Sequence, residues 1–188
     1  KIYDQGFGTV GTKMSDDHED AAKWAVEAGF ADPKRICIGG SSYGGYATLM
    51  GLVKDPKQYR CGISVVGVSD LLWMYELGYS DFASYRPETA DAHLAVTMGD
   101  EKGDRAMLEK YSPRRHADKI EAPVLFVHGA DDRRVPIKHA EGMRDALKAA
   151  GKPYEWVVYS GEGHGFMKPE NRLDYYNRME AFLAKHLK

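Results

Sequence analysis

The sequence predicts an α/β fold, a mostly parallel sheet with helices on both faces, from two features of its patterning. Short apolar segments without polar alternation recur along the chain, and helix-forming segments separate them. Continuous apolar strands are typical of sheets buried on both faces, and intervening helices are typical of connections between parallel strands. The 188 residues, 43% hydrophobic and 29% charged, fit one globular domain. We therefore expect a single domain over residues 1–188.

Each element follows from a local pattern. Four apolar segments predict strands, at residues 35–38, 61–68, 123–127 and 154–159. Helical spacing with acidic starts or terminal glycines predicts helices at about 16–28, from 46 onward, at about 137–150 and at about 171–186. The segment 69–118, rich in aromatic residues and helix formers, predicts a helical excursion over the sheet edge, broken at Pro87 and Pro113.

The net charge and the lengths of the apolar runs argue against nucleic acids and membranes as binding partners. The net charge of −2 gives no electrostatic basis for binding nucleic acid or an anionic membrane, and no apolar run approaches the ~20 residues that span a bilayer. The acidic group Asp16, Asp17, His18 and Asp20 is interpreted as the first turn of a helix rather than a metal site, so we predict no metal and no cofactor. Cytoplasmic localisation is the default expectation, with periplasm or secretion left open.

Two cysteines, Cys37 and Cys61, each lie in an apolar segment that predicts a strand. Free cysteine behaves as a small hydrophobic residue and is often buried. We therefore expect two buried free thiols, with a disulfide between them as the less favoured alternative.

The pentapeptide Gly40-Ser41-Ser42-Tyr43-Gly44 lies between the first predicted strand and the helix that follows it. Strand, sharp turn and helix are the context in which G-x-S-x-G forms a nucleophile elbow. The turn strains the serine backbone, so small neighbours are needed, and it exposes the Ser42 hydroxyl. The N–H of Tyr43, at the helix start, would stabilise negative charge that develops on a substrate oxygen.

Later strand ends supply an acid and a histidine. Asp131 and Asp132 follow the third strand, and His164 lies among glycines after the fourth. Active groups of open parallel sheets collect beyond the carboxyl ends of strands, and the order Ser, Asp, His is the one expected of an α/β-hydrolase. Taken singly, the aspartates could instead cap a helix and His164 could be an exposed loop residue. Together they indicate a nucleophile, a base and an orienting acid.

The remaining histidines are expected to have structural or surface positions. His128 ends the third strand and is expected to serve the turn after it. The other five lie in charged or helical surroundings and are expected at the surface: His18, His93, His116, His139 and His186.

Several distinctive motifs are spread over nearly the whole chain: Asp32-Pro33-Lys34-Arg35-Ile36, Gly40 through Tyr46, Tyr111-Ser112-Pro113, His128-Gly129 with Asp132 and Val135-Pro136, and Gly161 through Phe166. Together they resemble the prolyl oligopeptidase family of serine peptidases. The most similar branch is that of the acylaminoacyl-peptidases and bacterial dipeptidyl aminopeptidases.

The resemblance also assigns roles to individual residues. The family's acid stands three residues after the glycine of the His-Gly pair, which selects Asp132 over Asp131. Arg134 matches a polar group that holds a substrate carbonyl. The pocket for the residue before the cut would be lined by Tyr43, Val68 and Val135, with Trp73 as a weaker candidate. Ordinary core packing is the alternative for the two valines, and for Trp73 it is at least as good an explanation.

The implied activity is hydrolysis of short peptides near their N-terminus by Ser42, Asp132 and His164 through an acyl-enzyme. An esterase or thioesterase with the same residues is an alternative, and a catalytically weak fragment of a larger assembly is another.

Four predicted strands are about half of a full hydrolase sheet, so the first strand is expected to be an exposed edge that pairs with the missing N-terminal part or with a second copy. The family's second oxyanion donor, a tyrosine, would lie upstream; its loss predicts activity weaker by ~10²–10³ for this chain alone.

Overall fold

The computed structural model of the protein describes residues 5–77 and 87–188. Its centre is a sheet of four parallel strands in the order β1-β2-β3-β4. The strands are β1 Cys37–Ser41, β2 Cys61–Val65, β3 Val124–Gly129 and β4 Tyr154–Tyr159. The predicted parallel α/β architecture is therefore confirmed. In the described part of the chain, β2 is the one strand that pairs with β1, so β1 forms an edge of the sheet.

Helices cover both faces of the sheet. They are α1 Lys13–Glu27, α2 Tyr43–Lys54, α3 Trp73–Glu76, α4 Pro87–Met98, α5 Arg105–Lys110, α6 Lys138–Ala149 and α7 Pro169–His186, with a 3₁₀ helix at Pro113–Lys119. Helix α2 is buried along most of its length within one apolar layer, and Phe182 of α7 lies in the layer on the opposite side. The expected excursion at 69–118 contains α3, α4, α5 and the 3₁₀ helix, and its residues 78–86 lie outside the described part.

Strand β2 ends three residues earlier than the apolar run 61–68 predicted. Val66 has a φ of 43°, a left-handed conformation that β-branched residues rarely adopt, and the chain leaves the sheet there. The register pairs Ser41 with Val65 and Gly129 with Tyr159. The carboxyl ends of all four strands are thus aligned, and the loops that follow them meet along one edge.

The prediction of two free thiols is wrong, because Cys37 and Cys61 form a disulfide. The two residues are register partners on β1 and β2, with Cα atoms 4.7 Å apart, a separation that suits a disulfide. Taken alone, the apolar segment around each cysteine predicts only a small buried side chain. The pairing arises from the register between strands, which neither segment reveals.

Within residues 5–77 and 87–188, no helix is both long enough and apolar enough to cross a membrane.

Candidate active site

Ser42 lies in a strained turn between β1 and α2. Its φ of 58° and ψ of −117° are unusual for a residue other than glycine, and its N–H donates to the Val65 carbonyl at 2.9 Å. A Cβ added at Gly40 would lie 2.7 Å from backbone atoms of Gly44, and one at Gly45 would lie 2.6 Å from a backbone carbon. The strained serine and the need for small neighbours, both expected from the sequence, are therefore present.

His164 lies between Ser42 and Asp132 within hydrogen-bond distance of both. Its Nε2 is 2.9 Å from Ser42 Oγ, and its Nδ1 is 2.8 Å from Asp132 Oδ2. An ionised carboxylate only accepts hydrogen bonds, so Nδ1 carries the proton and donates it to Asp132. The lone pair of Nε2 then faces the serine hydroxyl, as a general base requires.

The Asp132 carboxylate is buried and fully hydrogen-bonded. Its Oδ1 accepts the backbone N–H groups of Arg134 and Val135, each at 2.9 Å, while Oδ2 faces His164. Burial alone would raise its pKa, but the hydrogen bonds from His164 and Val135 outweigh burial and lower the pKa. Asp132 therefore stays ionised at neutral pH. Asp131, the other candidate, is exposed, and its N–H donates to the Glu162 carbonyl.

His128 supports the turn that holds Asp132, as expected. Its side chain is 1% exposed, and Nε2 lies 2.9 Å from the Val135 carbonyl and 3.5 Å from Asp132 Oδ2. Burial lowers the pKa of His128, against the raising effect of the Val135 hydrogen bond. The ring is therefore neutral, and its Nε2–H donates to the Val135 carbonyl.

The surface position predicted for His139 is wrong. The residue is fully buried at the start of α6, its Nδ1 accepts the Ser69 N–H at 3.2 Å, and its carbonyl accepts the Ser69 hydroxyl at 2.6 Å. Burial lowers its pKa to about 3. The sequence did hold a signal, since His139 precedes Met143 and Leu147 at intervals of four residues on the buried stripe of α6.

A mainly apolar cavity of about 550 Å³ opens beside Ser42. Three of the residues proposed to bind substrate line it: Tyr43, Val68 and Val135. Burial first, and then the charge of Asp17, raise the pKa of Tyr43 to about 12, so its phenol is neutral. The cavity is thus suited to an uncharged side chain.

Trp73 and Arg134 are not among the described residues that line the cavity. The Trp73 ring packs under the Arg114 guanidinium at 4.1 Å and beside His139, and a Cβ at Gly142 would lie 2.5 Å from it. This contact with α6 matches the core-packing alternative for Trp73. Arg134 is exposed, one residue before Val135.

Sequence reasoning missed two other parts of the cavity wall. These are Phe7, Val10 and Met14 near the N-terminal end, and Leu94 and Met98 in α4. Leu94 and Met98 are four residues apart on one face of α4, whereas Val10 lies in the turn before α1 and Met14 in its first turn. That spacing does not reveal which cavity the face borders.

A parallel sheet, a strained serine after its first strand, and an acid and a histidine on the loops after later strands define the α/β-hydrolase fold. The chain belongs to the prolyl oligopeptidase family of serine peptidases, whose model matches residues 1–188.

Relatives of this family match almost the whole chain. Dipeptidyl aminopeptidase BIII of Pseudoxanthomonas mexicana is 38% identical over 184 residues, which are 97% of this chain and 26% of that protein. Dipeptidyl peptidase family member 6 of Caenorhabditis elegans is 32% identical over 187 residues, 100% of this chain and 25% of that protein. The chain therefore spans about a quarter of the length of these curated relatives.

Among solved structures, a puromycin-hydrolyzing peptidase of Mycobacterium tuberculosis superposes with a TM-score of 0.88 at 30% identity, over 98% of this chain and 27% of that one. The acylaminoacyl peptidase of Pyrococcus horikoshii superposes with a TM-score of 0.84 at 25% identity, over 98% and 29%.

Proposed function

We propose that this chain carries the catalytic residues of a serine peptidase that cleaves short peptides near their N-terminus, of the dipeptidyl-peptidase or acylaminoacyl-peptidase type. The observation that carries the proposal is the pair of contacts made by His164, 2.9 Å to Ser42 Oγ and 2.8 Å to Asp132 Oδ2. The names of the relatives support the peptide substrate.

In the proposed reaction, Ser42 Oγ attacks the peptide carbonyl while His164 Nε2 takes the hydroxyl proton. Asp132 stabilises the imidazolium that forms and keeps the ring in the correct tautomer. The N–H of Tyr43, in the first turn of α2 where amides lack helical partners, donates to the oxyanion. Collapse of the intermediate expels the amine, which takes the proton from His164, and leaves an acyl-enzyme that water hydrolyses by the same steps in reverse.

We propose that the side chain before the cut binds in the cavity beside Ser42, between Tyr43, Val68 and Val135. Burial of apolar surface contributes about 25 cal/mol per Å², so this wall favours large uncharged side chains. We propose Arg134, exposed next to Val135, as the group that holds a substrate carbonyl. Trp73 is left out of the proposed binding residues because it packs against α6.

The edge of β1 supports a proposal about partners. A groove flanks this strand on each side. One is formed with the apolar residues Tyr175, Met179 and Leu183 of α7, and the other with α1, where Asp17 and His18 lie beside Ala21 and Ala22. We propose that further strands of the whole protein, or a second copy of this chain, pair with β1. Size-exclusion chromatography tests this: the 188-residue chain alone should self-associate, and a stable monomer would contradict the proposal.

Labelling with a fluorophosphonate tests the proposed nucleophile. We expect one adduct, on Ser42, in the folded protein, and none in Ser42→Ala. Ser41→Ala is the matched control, because Ser41 is the exposed neighbouring hydroxyl and its loss should leave labelling unchanged. An adduct on Ser41, or none in the wild type, would contradict the proposal.

A comparison of turnover rates for an aminoacyl-arylamide and a p-nitrophenyl ester then separates a peptidase from an esterase or thioesterase.

A further inference from the structure

Glu162, two residues before His164, is a carboxylate in an unusual position within the loop after β4. Glu162 is only 2% exposed. Oε2 accepts the Met167 N–H at 2.8 Å, while Oε1 accepts the Lys168 N–H at 2.9 Å and the Asn171 side-chain amide at 2.8 Å. One side chain before His164 is therefore bonded to three groups after it, which closes the loop around the histidine.

The backbone of Glu162 ties the same loop to the Asp132 turn. Its carbonyl accepts the Asp131 N–H at 2.9 Å. A Cβ at Gly129 would lie 2.4 Å from that carbonyl oxygen and 2.2 Å from the carbonyl oxygen of Gly163, so the two loops are in direct backbone contact. The loop of His164 is therefore tied to the turn of Asp132 through the backbone of Glu162.

The chemistry of the contacts requires a carboxylate. Three N–H donors converge on two oxygens, and an ionised carboxylate has acceptors only. The hydrogen bond from Asn171 first, and then those from Met167 and Lys168, lower the pKa of Glu162. The group is thus charged at neutral pH. A glutamine of the same shape would turn its NH₂ group toward one of the donors.

We propose that Glu162 is a positioning residue: it fixes the loop so that His164 stays in line between Ser42 and Asp132. It acts through His164 and not on the substrate. The proposal rests on the proposed function of Ser42, His164 and Asp132. Misplacement of a catalytic group by about 1 Å is enough to lower a rate by ~10²-fold.

The test compares Glu162→Gln with Glu170→Gln in the purified protein. Glu170 is exposed in the first turn of α7, so its substitution removes the same charge near the same helix start. For Glu162→Gln we expect kcat to fall by roughly 10- to 100-fold with KM little changed, and Glu170→Gln to resemble the wild type. A purely structural role would instead lower the amount of folded protein at constant kcat per active site, counted by fluorophosphonate titration.

A second variant, Asn171→Ala, tests the proposal even if Glu162→Gln does not fold. Asn171→Ala removes one donor but retains the charge of Glu162, so kcat should fall in the same direction by a smaller factor. If Glu162→Gln does not fold, an unchanged kcat in Asn171→Ala overturns the proposal. Equal kcat in Glu162→Gln and the wild type also overturns it.

Proton NMR separates this proposal from the proposed function. The His164 Nδ1–H bonded to Asp132 should give a downfield resonance in the wild type and in Glu170→Gln, and a shifted or lost one in folded Glu162→Gln. If the wild type shows that resonance but does not label at Ser42, the proposed function fails while the role of Glu162 is still measured. An unchanged resonance in Glu162→Gln refutes the positioning role.

Discussion

The loops that carry Ser42 and His164 are held in place by different forces. Around Ser42 the restraint is steric: Gly40 and Gly45 have backbone atoms within 3 Å of where a Cβ would lie. The two glycines that flank His164 have room, since the nearest atom to a Cβ at Gly163 is 3.9 Å away and none lies within 4 Å at Gly165. Polar contacts to Glu162 order this second loop instead.

This difference has a physical reason. Ser42, the proposed nucleophile, lies where the chain leaves the end of β1 and starts α2 at once, so the backbones of Gly40 and Gly45 are pressed against other backbone atoms and leave no room for a Cβ. His164 lies on a loop after β4 whose own glycines Gly163 and Gly165 are not crowded, and hydrogen bonds to the Glu162 carboxylate hold that loop. We expect the first loop to respond to added methyl groups and the second to changes in hydrogen bonding.

The largest expected loss of stability is that of Gly40→Ala, which tests whether steric contacts restrain the loop of Ser42. The new Cβ would lie 2.7 Å from backbone atoms of Gly44, which cannot move without displacing Ser42. Overpacking of this kind costs typically 1–3 kcal/mol, and because the clash is with backbone we expect a loss of about 3 kcal/mol. Urea unfolding measures the stability, and fluorophosphonate labelling measures the position of Ser42, which should react much more slowly.

The matched control is Gly165→Ala in the other loop. A Cβ there meets no atom within 4 Å, and the residue is exposed, so the change in stability should stay within about 0.5 kcal/mol. If Gly165→Ala were as damaging as Gly40→Ala, sterics would restrain both loops and the distinction would be wrong.

Local patterns in the sequence were sufficient for most of the fold and for the residues that meet at the site. The elbow was predictable because strand, G-x-S-x-G and helix are contiguous. The ends of the third and fourth strands led to Asp131 or Asp132 and to His164, and the family resemblance then selected Asp132. The carboxyl ends of parallel strands share one edge, so three local predictions combined into one geometric one.

What the sequence did not reveal depends on contacts between distant segments. The Cys37–Cys61 bond requires the register of β1 against β2, and the apolar pattern of each strand is the same with or without it. The cavity wall from Val10 and Leu94 depends on how the turn before α1 and helix α4, both distant from the elbow in sequence, pack beside Ser42. Glu162 gave no signal, because a lone glutamate among glycines is typical of an exposed loop.

The smallest effect, and the one that sharpens the comparison most, is expected for Gly44→Ala within the elbow itself. Although Gly44 is the second glycine of the motif, a Cβ there meets no atom within 4 Å, and the residue lies in the first turn of α2. Alanine is the better helix former by up to about 1 kcal/mol in a helix interior, so a gain of about 0.5 kcal/mol is expected at this end. Urea unfolding should show that gain, with labelling of Ser42 unchanged. Opposite signs for the stability changes of Gly40→Ala and Gly44→Ala would mean that the steric restraint comes from particular backbone contacts of the turn and not from the motif as a whole. A loss of stability in Gly44→Ala comparable to that in Gly40→Ala would contradict this view.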